Sequence, residues 1–265
     1  MTSYRTLFLE SVAGIAGDMF TAAFLDAGLV DPEVIQKVPE LIHLPGVTVD
    51  ISHTLRAEAR FTRVQVIIPN GSRDGSNDHH HVGRGAADSG SQEGHPAHHH
   101  SHHHQPYREL VERLEDSNLD PEARSFALEV FRLLAEAEAD SHGVAPDQVV
   151  FHEVGAVDSV VDVAMAGVCF ASVAPERVLA SPVKLGRGSV KIQHGTYPVP
   201  PPASARLARG MPVASVPDGI ERVNVELSTP TGLAILKALN PTFFTDGWPP
   251  GTVEAQGAGA GSMDL

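Results

Sequence analysis

Hydrophobic and polar positions repeat with two different periods along the chain, and the changes of period separate helices from strands. A short apolar run at residues 6–10 predicts a buried strand, and β-branched or alternating apolar and polar residues predict strands at 47–56, 61–69, 177–180 and 189–193. Apolar residues recur three and four positions apart in the predicted helices, at residues 16–27, 32–43, 106–117, 121–142, 158–174 and 229–239, with a shorter helix ending near 209. This alternation predicts an α/β fold with a mixed sheet flanked by helices.

Two segments interrupt the periodic pattern. Residues 70–106 are rich in glycine, serine and histidine, so we expect a flexible, disordered insertion there. Residues 251–265 are too glycine-rich to hold structure alone and suggest a tail leading toward an absent C-terminal domain. The α/β domain is therefore predicted to comprise a strand-loop-helix region at 1–69 and a larger part at 107–250.

The insertion contains most of the chain's histidine. Of 15 histidines, ten are His79, His80, His81, His95, His98, His99, His100, His102, His103 and His104. Neutral imidazole is a ligand that suits nickel, zinc and copper, and a flexible tract can wrap an ion without preformed geometry. The tract therefore predicts metal capture, although a solvated insertion without a role would have the same composition.

Charge and cysteine content narrow the class of protein. A formal charge of -14 argues against a nucleic-acid partner and would attract cations. The single cysteine, Cys169, excludes an internal disulfide and a thiolate metal cage. The longest apolar stretch is interrupted by Asp158 and Asp162, which argues against a membrane span. The first residues do not have the pattern of a secretory leader, so we expect a cytoplasmic location.

Four candidate metal ligands lie close together in the segment VFHEVGAVDSVVD. They are His152, Glu153, Asp158 and Asp162, the last two one turn apart on a predicted helix. Imidazole with carboxylate suits nickel, zinc, iron or manganese, and two carboxylates could also hold a magnesium nucleotide. Acidic residues near a helix start also stabilise its dipole without any catalytic role. The apolar neighbours of Asp162 favour function, because a desolvated carboxylate needs a partner.

Two glycine- or threonine-containing turns are candidate anion sites. Gly14, Gly17 and Asp18 lie between a predicted strand and helix, where backbone amides could cradle a phosphate. The spacing fits no known phosphate fingerprint, and Asp18 could instead cap its helix. Thr229 and Thr231 precede the final helix, either as a cap or as ligands for an anion.

A lone histidine beside a proline-rich turn is a further candidate. His194 precedes the run TYPVPPPA, whose stiffness would fix the orientation of the ring. His194 could therefore act as a ligand or an acid-base group, or it could simply bond to the backbone.

Taken together, these segments resemble the LarC-type nickel insertion proteins of nickel-pincer cofactor biosynthesis. The resemblance rests on the histidine-rich insertion and on four motifs, GIAGDM at 14–19, FHEVGAVDSVVD at 151–162, SPVKLGRGSVKIQHGTYPVPPPA at 181–203 and ELSTPTG at 226–232. One departure is Glu10-Ser11, where the family has aspartate followed by cysteine or another small residue.

The resemblance implies an enzyme, a nickel insertase of the lyase-type chelatase (cyclometallase) class. It would insert nickel into pyridinium-3,5-bisthiocarboxylic acid mononucleotide while CTP is hydrolysed to CMP and diphosphate. The CTP site, with manganese or magnesium, would belong to a separate C-terminal domain or subunit.

Roles for individual residues are assigned from motif position and residue type. His152 or His194 would accept the proton that leaves the pyridinium ring, and the metal would lie among His152, Glu153, Asp158 and Asp162. Gly14, Gly17, Asp18, Thr229 and Thr231 would bind the cofactor.

Two other functions remain open at this point. One is a non-catalytic nickel or zinc storage protein or metallochaperone. The other is a nucleotide-binding enzyme built on GIAGDM, in which the histidines are incidental.

Overall fold

Helices and short strands alternate along the chain, in a computed structural model that describes residues 5–69, 105–151, 157–192, 195–216 and 224–263. The helices are α1 (Gly17–Asp26), α2 (Pro32–Gln36), α3 (Val38–Leu41), α4 (Tyr107–Glu115), α5 (Pro121–His142), α6 (Val157–Val173), α7 (Pro202–Leu207) and α8 (Pro230–Ala238). The strands are β1 (Thr6–Leu9), β2 (Thr48–Arg56), β3 (Ala59–Ile67), β4 (Gln105–Pro106), β5 (Val150–Phe151), β6 (Arg177–Ala180), β7 (Gly186–Arg187), β8 (Ser189–Ile192), β9 (Gly195–Pro198), β10 (Val225–Glu226) and β11 (Thr242–Phe243). The predicted α/β class is confirmed.

A three-stranded parallel sheet with the order β1-β6-β11 positions the site. Leu7 and Leu9 of β1 face the helical core. Phe8 points to the other face, where the Trp248 ring meets it edge-on at 5.7 Å between centroids. The antiparallel pairs, such as β2 with β3, form separate two-stranded ladders. Because β1 and β6 are parallel, the residues that follow them meet at one edge of the sheet.

The longest helix, α5, runs through the centre of the helical layer. It begins where the Asp120 carboxylate accepts a hydrogen bond from the Glu122 amide, and it ends at Gly143, whose φ is 68°. Both ends agree with the predicted range. Its buried face packs against α6, α7 and α8, and Phe131 is fully enclosed there.

The single helix predicted at 32–43 is wrong, because the chain forms α2 and α3 with a break at Lys37. Pro39 is the physical reason. Its ring has no N–H to donate to the Ile35 carbonyl and would clash with it in a continuous helix.

The glycine-rich tail packs between α1 and β3. The Ala258 amide donates to Asp26 Oδ2 at 2.9 Å, and the Thr62 amide donates to the Ala258 carbonyl at 3.2 Å. The Ala260 amide then donates to the Thr62 carbonyl at 2.9 Å. We call residues 257–261 the glycine strap, and its hydrogen bonds hold it against the hairpin and the helix.

The strap can approach α1 this closely because its glycines have no side chain. A Cβ on Gly257 would lie 2.1 Å from the Ala23 carbonyl oxygen, and one on Gly259 would lie 2.0 Å from that of Met19. Along the strap the contacts therefore pass from the C-terminal half of α1 to its first turn. The glycine content that predicted a tail without structure of its own is what lets it dock.

Most of the predicted insertion, with its ten histidines, lies outside the described residues. Gln105 and Pro106, at its predicted end, form β4 and pair with β5. No helix in the described part of the chain is long and apolar enough to cross a membrane.

Adding one methyl group to the strap tests its packing. We expect Gly259→Ala to lower the free energy of unfolding by about 1–3 kcal/mol, because the new Cβ overlaps backbone rather than a movable side chain. Urea unfolding measures the change. Gly251→Ala is the matched control, since nothing lies within 4 Å of its Cβ position. Equal stability of the two variants would show that the strap is not packed as described.

Candidate functional site

The first turns of α1 and α8 meet backbone to backbone, and this contact builds the site. The Thr229 amide donates to the Ile15 carbonyl at 3.0 Å. A Cβ on Gly232 would lie 2.1 Å from the same carbonyl oxygen. Thr229 Oγ1 accepts a hydrogen bond from the Gly232 amide at 3.2 Å and so caps α8.

Gly17 brings α6 to the same place. A Cβ on Gly17 would lie 2.9 Å from Asp162 Cβ and 3.2 Å from Thr231 Cγ2. Asp162 lies in the second turn of α6, so the N-terminal parts of three helices converge here. Only glycine leaves room for the Asp162 carboxylate beside the start of α1.

The loop before α1 is shaped by Gly14. Its φ of 98° is unfavourable for any residue with a side chain, and a Cβ would overlap the Leu227 carbonyl oxygen at 1.8 Å. The glycines predicted to cradle a phosphate thus have a packing reason for being glycine. Their role in binding a cofactor stays a prediction.

Asp18 is a carboxylate with an altered acidity. Burial is the main cause that raises its pKa from 3.8 to about 6, and the negative charge of Asp158 adds to it. The Met19 amide, which donates to Asp18 Oδ1 at 2.8 Å, and the Arg63 guanidinium act in the opposite direction. Near pH 6 this group is therefore half protonated in the folded protein.

The pKa of Asp162 is raised well above its usual range by burial, and then by the charges of Asp18 and Asp158. The three carboxyl groups, which we call the carboxylate cluster (Asp18, Asp158 and Asp162), therefore resist being ionised together. A bound divalent cation would relieve this repulsion, and carboxylate oxygens are ligands for magnesium, manganese and nickel.

The cluster by itself does not have the geometry of a metal site. Across the residues that the structure describes, no group of three or more histidine, cysteine or acidic side chains is arranged to hold a metal ion. Burial raises the pKa of the Cys169 thiol to about 12, so this side chain packs in the core as a neutral thiol. The remaining predicted ligands, His152, Glu153 and His194, lie outside the described residues.

Sequence reasoning missed several residues around the β1–α1 loop. The positive charge of Arg63 on β3 lowers the pKa of Asp18, and only the tertiary structure brings the two close enough to interact. Ser11, Ser181 and Lys184 lie at the sheet edge, after β1 and β6. Ser181 and Lys184 belong to a motif that the resemblance already contained, so their position after a strand was the available signal.

Comparison with known proteins now adds the family. The family model of nickel insertion proteins matches residues 7–265. The chain belongs to the nickel insertion protein family. Among its relatives, the pyridinium-3,5-bisthiocarboxylic acid mononucleotide nickel insertion proteins of Thermotoga petrophila and Thermotoga sp. (strain RQ2) are 38% and 37% identical to it. The protein of that name from Geobacillus kaustophilus is 33% identical.

These matches cover nearly all of this chain but only part of each relative. Each covers 98% of the chain, which spans 58% of the two Thermotoga proteins and 57% of the Geobacillus protein. No solved structure shows a significant match to the chain. The family resemblance identified from the motifs is confirmed.

Removing the charge of Asp18 tests the electrostatics of the site. The folded protein holds this proton more tightly than the unfolded chain, whose aspartate pKa is about 3.9. The contribution of Asp18 to the free energy of unfolding therefore falls as pH rises from about 4 to about 6, and it stays lower above that. We expect Asp18→Asn to stabilise the metal-free protein by about 1–3 kcal/mol at pH 7 and to lose that gain at pH 4.

Urea unfolding in metal-free buffer at the two pH values measures this difference. Asp50→Asn, at an exposed position of β2, is the control and should change stability little at either pH. If Asp18→Asn lowered the free energy of unfolding at pH 7, burial would not raise the pKa of Asp18 in the way described.

Proposed function

We propose that this chain is the nickel-binding part of an enzyme that inserts nickel into pyridinium-3,5-bisthiocarboxylic acid mononucleotide, a nickel insertase of the lyase-type chelatase class. The carboxylate cluster carries the proposal, because burial raises the pKa of both Asp162 and Asp18 where three helices begin, and the charges of Asp18 and Asp158 raise that of Asp162 further. The names of the Thermotoga and Geobacillus relatives support this substrate.

In this proposal nickel is cargo that passes through the cluster. The histidine tract collects the ion, and Asp18 and Asp162 hold it with ligands from His152 and Glu153. Because the carboxyl groups must lose their protons to bind nickel, affinity falls as pH drops, and Asp18 contributes to that fall as pH passes through about 6.

Formation of a carbon-nickel bond also requires that the ring carbon lose a proton. His152 and His194 are the proposed acceptors, since neutral imidazole is available near pH 7. Gly14, Gly17, Thr229 and Thr231 shape the wall of the cluster and would contact the mononucleotide.

CTP, with manganese or magnesium, is assigned to a separate C-terminal domain or subunit. The partial coverage of the relatives is compatible with that assignment. The cytoplasmic location predicted from the first residues stays a prediction.

Replacing the buried Asp162 carboxyl group tests whether the carboxylate cluster takes part in nickel insertion. We expect Asp162→Asn to reduce nickel insertion at least about tenfold, because a carboxamide neither carries the charge nor binds the cation as strongly. Mass spectrometry of the nickelated product, formed from the mononucleotide, nickel and CTP, measures the rate. The reaction is run with and without the C-terminal part of the Thermotoga petrophila relative.

Asp50→Asn is again the matched control and should insert nickel at the unaltered rate. Insertion by Asp162→Asn at that same rate would exclude the cluster as the transfer site.

Deleting residues 79–104 separates insertion from storage. An insertase should keep its turnover at saturating nickel and slow down only when nickel is scarce, because the tract supplies metal rather than chemistry. The same mass-spectrometric assay at high and low nickel measures this. A protein without any insertion activity that loses its tight nickel binding on deletion would be a storage protein or metallochaperone.

A further inference from the structure

A buried serine hydroxyl at the carboxyl edge of the parallel sheet has no hydrogen-bond partner in the described part of the chain. Ser11 is 7% exposed, and its Oγ is unsatisfied. Its backbone amide donates to Ser181 Oγ at 2.9 Å, so the two hydroxyl oxygens lie beside the same nitrogen. Native proteins seldom leave a buried hydroxyl unpaired, so a ligand group that reaches Ser11 Oγ would supply the partner that the protein does not.

Lys184 brings a positive charge to the same edge. It is partly buried, and within the described residues its ammonium forms no ion pair. Desolvation lowers its pKa, and the charge of Glu10, which directly precedes Ser11, only partly compensates. An anion bound here would restore the interactions that the ammonium loses on burial.

The backbone around this lysine is held in place. The Lys184 carbonyl accepts a hydrogen bond from Ser228 Oγ at 2.8 Å, and the Ser181 amide donates to the Leu9 carbonyl at 2.9 Å. The residues between them are therefore anchored to β1 on one side and to the segment before α8 on the other. A site fixed in this way does not need to reorganise when a ligand binds.

An aromatic surface lies on the face of the sheet that points away from the helical core. Phe8 and Glu10 are two residues apart on one face, and the Trp248 ring that packs on Phe8 is 51% exposed. The open face of an indole attracts a cationic ring, and the Glu10 carboxylate adds a negative charge nearby. The carboxyl edge thus has the serine hydroxyls and Lys184, with Glu10 close enough to act on the lysine and the Phe8–Trp248 pair on the face away from the core.

We propose that Ser11, Ser181 and Lys184 bind the phosphate group of a pyridinium mononucleotide, whose ring stacks on Trp248. This assignment rests on the proposed function for the identity of the mononucleotide and adds where the molecule docks. The phosphate subsite lies at the strand end of the loop that leads to α1, whereas Asp18 of the carboxylate cluster lies at its helix end. The mononucleotide and the metal therefore approach the same loop from its two ends.

Binding of nicotinic acid mononucleotide to the full chain tests the subsite. This probe has the ring, ribose and phosphate but no thiocarboxylate sulfur, so its binding does not depend on nickel insertion. We expect Lys184→Met to weaken binding about tenfold or more and Ser11→Ala about fivefold, as measured by calorimetry in nickel-free buffer. The control Lys191→Met removes an exposed lysine on β8 and should bind the probe normally.

Probe binding and stability are separate measurements on Ser11→Ala, and together they show whether its hydroxyl serves the ligand or the fold. If the hydroxyl serves the ligand, Ser11→Ala binds the probe less tightly while its urea midpoint is unchanged or higher, because an unsatisfied buried group has been removed. Unaltered probe binding by both Ser11→Ala and Lys184→Met would overturn the proposal.

Comparing the affinities for inorganic phosphate, CTP and the mononucleotide shows which molecule supplies the bound phosphate group. We expect Trp248→Leu to weaken binding of the mononucleotide about threefold and to leave binding of inorganic phosphate unchanged. Equal affinity for the mononucleotide and inorganic phosphate, or tighter binding of CTP than of either, would overturn the assignment to a pyridinium mononucleotide. Normal probe binding by a chain that inserts no nickel, even when the C-terminal part of the Thermotoga petrophila relative is supplied, would refute the proposed function and leave the subsite standing.

Discussion

Direct backbone contact between the starts of α1 and α8 is the constraint on which the site depends. The Ile15 carbonyl accepts a hydrogen bond from the Thr229 amide, and its oxygen packs so closely on Gly232 that a Cβ there would lie 2.1 Å from it. The two helices therefore cannot separate without losing both contacts. Gly17 then lies against Asp162, and Asp18 follows it directly. The raised pKa values of the two aspartates are a consequence of this packing, because it removes water from carboxyl groups that already repel each other.

The other side of α1 is held by the glycine strap. Gly257 and Gly259 pack against the carbonyls of Ala23 and Met19. The Asp26 carboxylate accepts a hydrogen bond from the Ala258 amide of the strap. The helix that presents Asp18 is thus clamped between α8 and the strap. A carboxyl group kept partly desolvated by such rigid surroundings cannot relax by moving into water, which is why a cation rather than a rearrangement would relieve it.

Charge is distributed unevenly along the loop between β1 and α1. Its strand end has the serine hydroxyls and Lys184, and its helix end has the carboxylate cluster. A mononucleotide with an anionic phosphate would suit the first, and a divalent metal would suit the second. The loop itself is held by the Gly14 contact with Leu227, so both ends keep their separation.

Local sequence patterns determined the helices and the chemistry, and the tertiary structure decided how the chemistry is assembled. Capping by Asp120, termination at Gly143 and the helical spacing of Asp158 and Asp162 depend on neighbours within a few positions, so they could be predicted. The break at Pro39 had an equally local cause that the apolar spacing concealed. The two-residue strands, the docking of the strap and the approach of Ser11, Lys184 and Arg63 to the site depend on residues far apart in the chain. Desolvation, which sets the acidity of Asp18 and leaves the Ser11 hydroxyl unpaired, exists only once those distant segments have packed together.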